Sequence, residues 1–173
     1  MARYVELRRH TDNDGDALSE EGVRAALEIG RGLPGGYAFL VTTGAQRATQ
    51  TLACFACMLR EAVPGGVIVE AGLRSEVEDR WRDAYKRAGS GDLEALRNAD
   101  HELVENDSAV LGAALRHVIE RLSEGEKALA VGHSPTNEAA VLGLPGSVAE
   151  PIGKGAGVLV VAEDKRARVE ALG

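Results

Sequence analysis

Short apolar runs alternate along the chain with longer helical patterns. "YVELRRH" (4–10) and "YAFLVTT" (37–43) are β-branched or aromatic-bearing stretches that end in polar loops, and both are predicted strands. A helical pattern follows each. The first starts at Ser19, a good N-cap whose next residues, Glu20 and Glu21, complement the positive helix end. Its predicted apolar face runs through Val23, Ala26, Leu27 and Leu33 to the stop "LPGG". The second helix spans about Ala45 to Glu61 and ends at "VPGG", before a short strand "VIVE" (67–70). Further on, Val110, Leu111, Ala114, Leu115, Val118, Ile119 and Leu122 fall on one face at helical spacing. "ALAVGH" (128–133) is apolar enough for a strand covered on both faces. "PTNEAAVLGL" predicts a short helix, and "GVLVVAED" (157–164) with "ARVEALG" (167–173) predict a closing hairpin turned at "EDKR".

The order of elements predicts a three-layer α/β/α sandwich built on a mostly parallel sheet with one antiparallel edge strand. Residues 71–107 interrupt it. They are densely charged and carry "GSGD", one Trp and little sustained periodicity, so they read as a partly helical, lid-like excursion over one edge of a single domain spanning 1–173. Composition adds limits rather than elements. With 3% aromatic residues, the core must rest on Ala, Val, Leu and Ile. A formal charge of −7 argues against nucleic-acid and anionic-membrane partners, which reward a basic face. No apolar run approaches the roughly 20 residues of a membrane helix, and "MARYVELRRH" does not read as a secretory signal, so a cytoplasmic protein is expected. A homo-oligomer stays open.

In open α/β sheets, ligands bind outside the carboxyl ends of the strands. Those ends carry the distinctive residues: Arg9 and His10 after the first strand, Arg47 in the first turn of the helix after the second, and His133 followed by Ser134 after "ALAVG". Two Arg and two His converging on one crevice are costly unless an anion joins them, and a phosphoryl group fits guanidinium forks and helix N-termini. Neighbouring guanidinium groups favour a neutral imidazole, whose free nitrogen can attack phosphorus. His10, beside Arg9, is the candidate nucleophile, and His133 the candidate donor to phosphoryl oxygens. Arg9, Arg47 and His133 are the expected phosphate ligands. The leaving group needs a proton, and "GLRSEVEDRW" offers Glu76, Glu78 and Asp79. Glu76 is the first choice and Glu78 the reserve. Thr11, Asn13 and Ser134 are expected on the pocket rim.

Taken together, "ELRRHTDNDGDALSEEGVRAALEIGRGL", "TTGAQRATQTL" and "AVGHSPTNEAA" resemble the histidine phosphatase superfamily, the group that includes cofactor-dependent phosphoglycerate mutase. That family's Arg-His-Gly opening, Leu-Thr/Ser-x-x-Gly, Arg-Ala-x-x-Thr element and late His correspond to Arg9 and His10, to Leu18, Ser19 and Gly22, to Arg47, Ala48 and Thr51, and to His133. The resemblance implies a phosphoglycerate mutase-like fold, transient phosphorylation of His10, and an acidic proton donor from the excursion. It requires no cofactor or metal. Thr11 stands where the family has Gly, and "LRSEVEDRW" departs from the family's acidic motif. The expected substrate is a phosphorylated small molecule or phosphoprotein, hydrolysed at a phosphomonoester or phosphoamidate.

Other readings compete at particular residues. The segment from His10 to Glu21 places Asp12, Asp14, Gly15 and Glu21 at positions of a calcium-binding EF-hand loop, yet a strand enters it and His10 holds the first ligand place. Cys54 and Cys57 have redox-pair spacing but fall inside a helical run, which favours a structural role. "GKGAG" (153–157) lacks the spacing of a phosphate loop and reads as a turn. His101 and His117 are expected at the surface, and Trp81 and Tyr85 as packing residues. The rival to a phosphatase is a catalytically weak phospho-ligand or phosphoprotein binding module of the same fold.

Overall fold

The computed structural model describes residues 1–172. β1 (Arg3–Arg9) leads into a small hairpin, β2 (Asn13–Asp14) and β3 (Ala17–Leu18), and then into α1 (Glu20–Arg31). β4 (Phe39–Thr42), α2 (Gln46–Leu59) and β5 (Val67–Val69) follow. After a 3-10 turn at Ala71–Leu73 come α3 (Glu78–Ala88), α4 (Leu93–Ala99) and α5 (His101–Glu120). β6 (Lys127–Gly132), α6 (Thr136–Leu142), β7 (Gly157–Glu163) and β8 (Arg166–Ala171) complete the chain.

The six-stranded sheet has the order β5-β4-β6-β1-β7-β8. β5, β4, β6 and β1 are parallel, and the antiparallel part lies at one edge, where β7 reverses against both β1 and β8. β4 is buried along its whole length and β6 from Ala128 onward, as strands covered on both faces must be. Their side chains alternate between two cores. Leu129 and Val131 meet Ala26, Ala48, Leu52 and Phe55 from α1 and α2, while Ala128 and Ala130 meet residues of α3 to α6. Register then sets the site. Arg9 is paired with Gly132 in adjacent parallel strands, so the residues that follow, His10 and His133, emerge side by side.

Two expectations about packing need correction. The buried face of α1 is Gly22, Ala26 and Gly30, whereas Val23 is exposed. Small residues win there because α2 lies close: a Cβ on Gly30 would come within 2.9 Å of the Met58 Cβ and 3.1 Å of the Phe55 Cα. The excursion is partly helical, as α3 and α4, and packs into the core. Leu73, Trp81, Ala84 and Leu96 are buried in the larger core, and α5 already starts at His101, where Asp100 caps it by accepting from the Leu103 N–H at 3.1 Å. Arg80 grips both oxygens of Asp100, at 2.7 and 2.8 Å, and so ties α3 to that cap. Val110, expected on the buried face of α5, is exposed. Among the described residues, no helix is long and apolar enough to cross a membrane.

Ser19 caps α1 as expected, accepting from the Gly22 N–H at 3.0 Å. Gly22 is the point where the loop after His10 crosses the helix, and a Cβ there would collide with the Asp12 carbonyl. Gly22→Ala is therefore expected to lower stability by about 1–3 kcal/mol despite alanine's better helix propensity. Urea unfolding with an unchanged m-value checks this.

Candidate active site

His10 leaves β1 with its backbone N–H donating to the Gly132 carbonyl at 3.0 Å, which fixes it against the end of β6. Its Nδ1 lies 2.7 Å from the Thr11 carbonyl oxygen. A carbonyl only accepts, so Nδ1 carries the proton and Nε2 keeps its lone pair. The His133 ring is 5.4 Å away, tilted by 58°. Burial pushes His10 down to about 4, with Arg47, Arg9 and Lys154 adding to the shift and the Thr11 bond opposing it. His133 is pushed down to about 3, again first by burial and then by Arg47, His10 and Arg74. Both imidazoles are neutral at neutral pH. His133 Nε2 sits 2.8 Å from the Thr43 hydroxyl, while its Nδ1 is buried without a hydrogen-bond partner among the described residues.

The arginines divide by strand alternation. Arg8 turns to Glu6 at 2.8 Å and to the Gly155 carbonyl at 3.0 Å, whereas Arg9 lines the pocket. Arg9 donates once, to the Ile152 carbonyl at 3.1 Å, and its Nε is buried without a partner. Arg47, in the first turn of α2, donates to Asp16 at 2.6 Å and approaches Glu78 at 3.9 Å. Arg74 binds Glu78 through Nε at 2.6 Å. A cavity of about 370 Å³ opens here, with Arg9, Arg47, Glu78, Trp81, Tyr85 and His133 on its wall. His10 lies behind that wall, 6% exposed.

The structure thus brings together four of the expected residues, Arg9, His10, Arg47 and His133, and also Ser134, which lines the cavity. It does not bring Glu76, which is exposed and faces an adjoining cleft with Arg74, Ser75 and Asp79, Glu78 standing between the two. Glu78 is the carboxylate in the pocket. It opens α3, where Arg74 reaches it one turn ahead. Thr11 and Asn13 also fall away from the rim. The Thr11 hydroxyl donates to the Gly22 carbonyl at 2.8 Å, so the side chain that replaces a glycine is buried under α1. Asn13 closes its own turn by donating to the Gly15 carbonyl at 2.7 Å. Trp81 packs in the core with its Nε1–H on Asp107 at 2.6 Å, whereas Tyr85 is half exposed at the mouth.

Three contributors were not expected. Arg74 and Asp16 hold the two acid–base contacts described above. Glu138, 1% exposed in the first turn of α6, accepts from the Ile152 N–H at 2.7 Å and from the Ser134 hydroxyl at 2.7 Å. Burial pushes its carboxyl above the usual range, against those two bonds. The sequence signal was the i, i+4 pairing of Ser134 with Glu138 on a helix too apolar to leave a glutamate at its surface.

The acidic loop after His10 does not gather its carboxylates. Asp12 pairs with Lys154 at 2.6 Å and accepts from Ser19 at 2.7 Å, whereas Asp16 turns to Arg47. Among the described residues, no group of three or more His, Cys, Asp or Glu is arranged to hold a metal ion. "GKGAG" is a turn whose Gly155 N–H returns to the Arg9 and His10 carbonyls at 3.1 and 3.2 Å. Cys54 and Cys57 are free thiols on α2, and burial raises Cys54.

This arrangement of strands and crossovers recurs in solved structures. A phosphoglycerate mutase from Bacillus anthracis matches with a TM-score of 0.73 at 17% identity, covering 99% of this chain and 92% of that one. The protein histidine phosphatase SixA, complexed with tungstate, matches at 0.59 and 19% identity over 96% and 94%. A mycobacterial glucosyl-3-phosphoglycerate phosphatase matches at 0.59 and 18% identity over 99% and 98%. The fold is phosphoglycerate mutase-like. No family model and no curated protein sequence matches the chain, so the likeness is one of backbone path and the chemistry must be argued from the site.

Two outcomes follow from this site. With both imidazoles held below the ordinary 6.5, the unfolded chain binds protons between about pH 6.5 and pH 4 that the folded chain refuses. Stability is full above that window and falls as pH drops through it; urea titrations from pH 7 to 5 show the slope, and His10→Asn with His133→Asn flattens it. Asp16→Asn, which frees Arg47 of its carboxylate, is expected to tighten inorganic phosphate binding by about 3–10-fold in calorimetry.

Proposed function

We propose that the chain is a metal-independent phosphatase that hydrolyses a small phosphomonoester through a phosphohistidine on His10. The observation that carries this is the Nδ1 hydrogen bond to the Thr11 carbonyl, which leaves Nε2 unprotonated beside a pocket of guanidinium groups. Arg9, Arg47 and His133 Nδ1 would hold the phosphoryl oxygens, supplying the charge stabilisation on which phosphoryl transfer depends. Nε2 attacks phosphorus as the bond to the leaving alcohol breaks. Glu78, the carboxyl on the pocket wall, gives that alcohol its proton. Water, deprotonated in turn by Glu78, then attacks the phosphohistidine. The N–P electron pair returns to Nε2 and inorganic phosphate leaves.

The cavity of about 370 Å³ favours a small substrate over a phosphoprotein. Lys86 at its mouth, which makes no ion pair among the described residues, favours an alcohol portion that is itself anionic. The name of the mycobacterial relative, a phosphoglycerate derivative's phosphatase, is in keeping with such a substrate.

Hydrolysis of 4-nitrophenyl phosphate, unaffected by chelator and abolished in His10→Ala, is the expected result. Glu78→Gln should slow an alkyl phosphate by about 10²–10⁴-fold and the aryl ester much less, because an activated leaving group needs little proton help. Glu76→Gln should leave both within about twofold of wild type, as expected for a side chain outside the pocket. Phosphate binding with no turnover of either ester would mark the protein as a phospho-ligand binding module instead.

A further inference from the structure

The opposite end of the sheet holds a second cleft. Arg3 and Arg9 are the first and last residues of β1, so at about 3.3 Å per residue the two clefts are separated by about 20 Å. The second has a volume of about 440 Å³, and Arg3, Arg116, Lys165 and Arg166 line it. Its floor is apolar, with Ile119 and Leu144 nearly inaccessible. Two carboxylates, Glu120 and Asp164, share the lining, against four cations.

The charges in this cleft are unmatched. Among the described residues, none of the four cations makes an ion pair or a side-chain hydrogen bond, whereas Arg47 and Arg74 at the first pocket are each met by a carboxylate. The Nε of Arg3 is buried without a partner. A buried guanidinium donor left unmet is costly unless an anion joins it, and the three exposed cations around it add attraction for one. In a chain of net charge −7, this local excess of positive charge is not a consequence of composition.

We propose that this cleft binds a small organic anion, with an oxyanion head on Arg3, Arg116 and Arg166 and an apolar body over Ile119 and Leu144. The forked donors suit a phosphate, phosphonate or carboxylate, and the volume lies within the range of small-ligand pockets. The proposal does not depend on turnover at His10.

Amide NMR of the full chain, titrated with phenylphosphonate, benzoate and benzyl alcohol, tests it. Phenylphosphonate is expected to shift two separate sets of signals, one around Arg47 and His133 and one around Arg3, Leu144 and Ala167. Benzoate is expected to shift the second set more weakly, and neutral benzyl alcohol to leave it unmoved. Arg116→Glu with Arg166→Glu, both exposed, should weaken the second set by at least about tenfold and leave the first in place. Shifts confined to the first set, a second set equally strong with benzyl alcohol, or a second set unchanged in the double variant would each overturn the proposal. Loss of the first set alone would count against the phosphatase reading and leave this one standing.

Discussion

Two neutral imidazoles and three guanidinium groups meet at the carboxyl ends of β1 and β6, and the surrounding structure is arranged around the cost of holding them there. Like charges in a reduced dielectric repel, and buried donors without partners are costly. Part of the relief is keeping the histidines uncharged. The rest comes from carboxylates: Asp16 on Arg47, Glu78 on Arg74, and Glu138 behind Arg9. Glu78 and Glu138 sit in the first turns of α3 and α6, and Asp16 in the turn between β2 and β3. The structure therefore pairs the pocket's charges by local carboxylates.

The sheet was legible because its strands are short, apolar and cleanly bounded. The four central site residues were legible for the same reason: a residue that follows a buried parallel strand has one place to go, and register did the rest for His10 and His133. The excursion was harder to read. Its core contacts, Leu73, Trp81, Ala84 and Leu96, are single apolar residues spread through charged helices, so no window shows a continuous face. The boundary of α3 decides which carboxylate reaches the pocket. Glu76 and Glu78 are two residues apart in sequence, and only the helix start at Glu78, with Arg74 one turn ahead, turns one of them inward.

Glycine and threonine explain two other discrepancies. Hydrophobic patterning counts glycine as neutral, yet Gly22 and Gly30 form the buried face of α1 because they let α2 and the Asp12 loop approach. Thr11 was expected on the pocket rim. Its hydroxyl instead bonds the Gly22 carbonyl while its backbone N–H donates to Thr51 at 3.2 Å, so the residue clamps the loop to α1 and α2 from below.

The segment from Pro145 to Ile152 gives the two ends of the sheet a physical link. It leaves the second cleft at Leu144 and Pro145 and ends at Ile152, whose carbonyl accepts from Arg9 and Ser134 and whose N–H donates to Glu138. One backbone unit thus holds Arg9 and the loop after His133 together. Glu138 is the member that makes this unit rigid, since a buried carboxylate that loses a donor bears the full desolvation penalty. Moving Ile152 costs Glu138 a buried hydrogen bond, so the carbonyl that meets Arg9 is held in place by the same carboxyl.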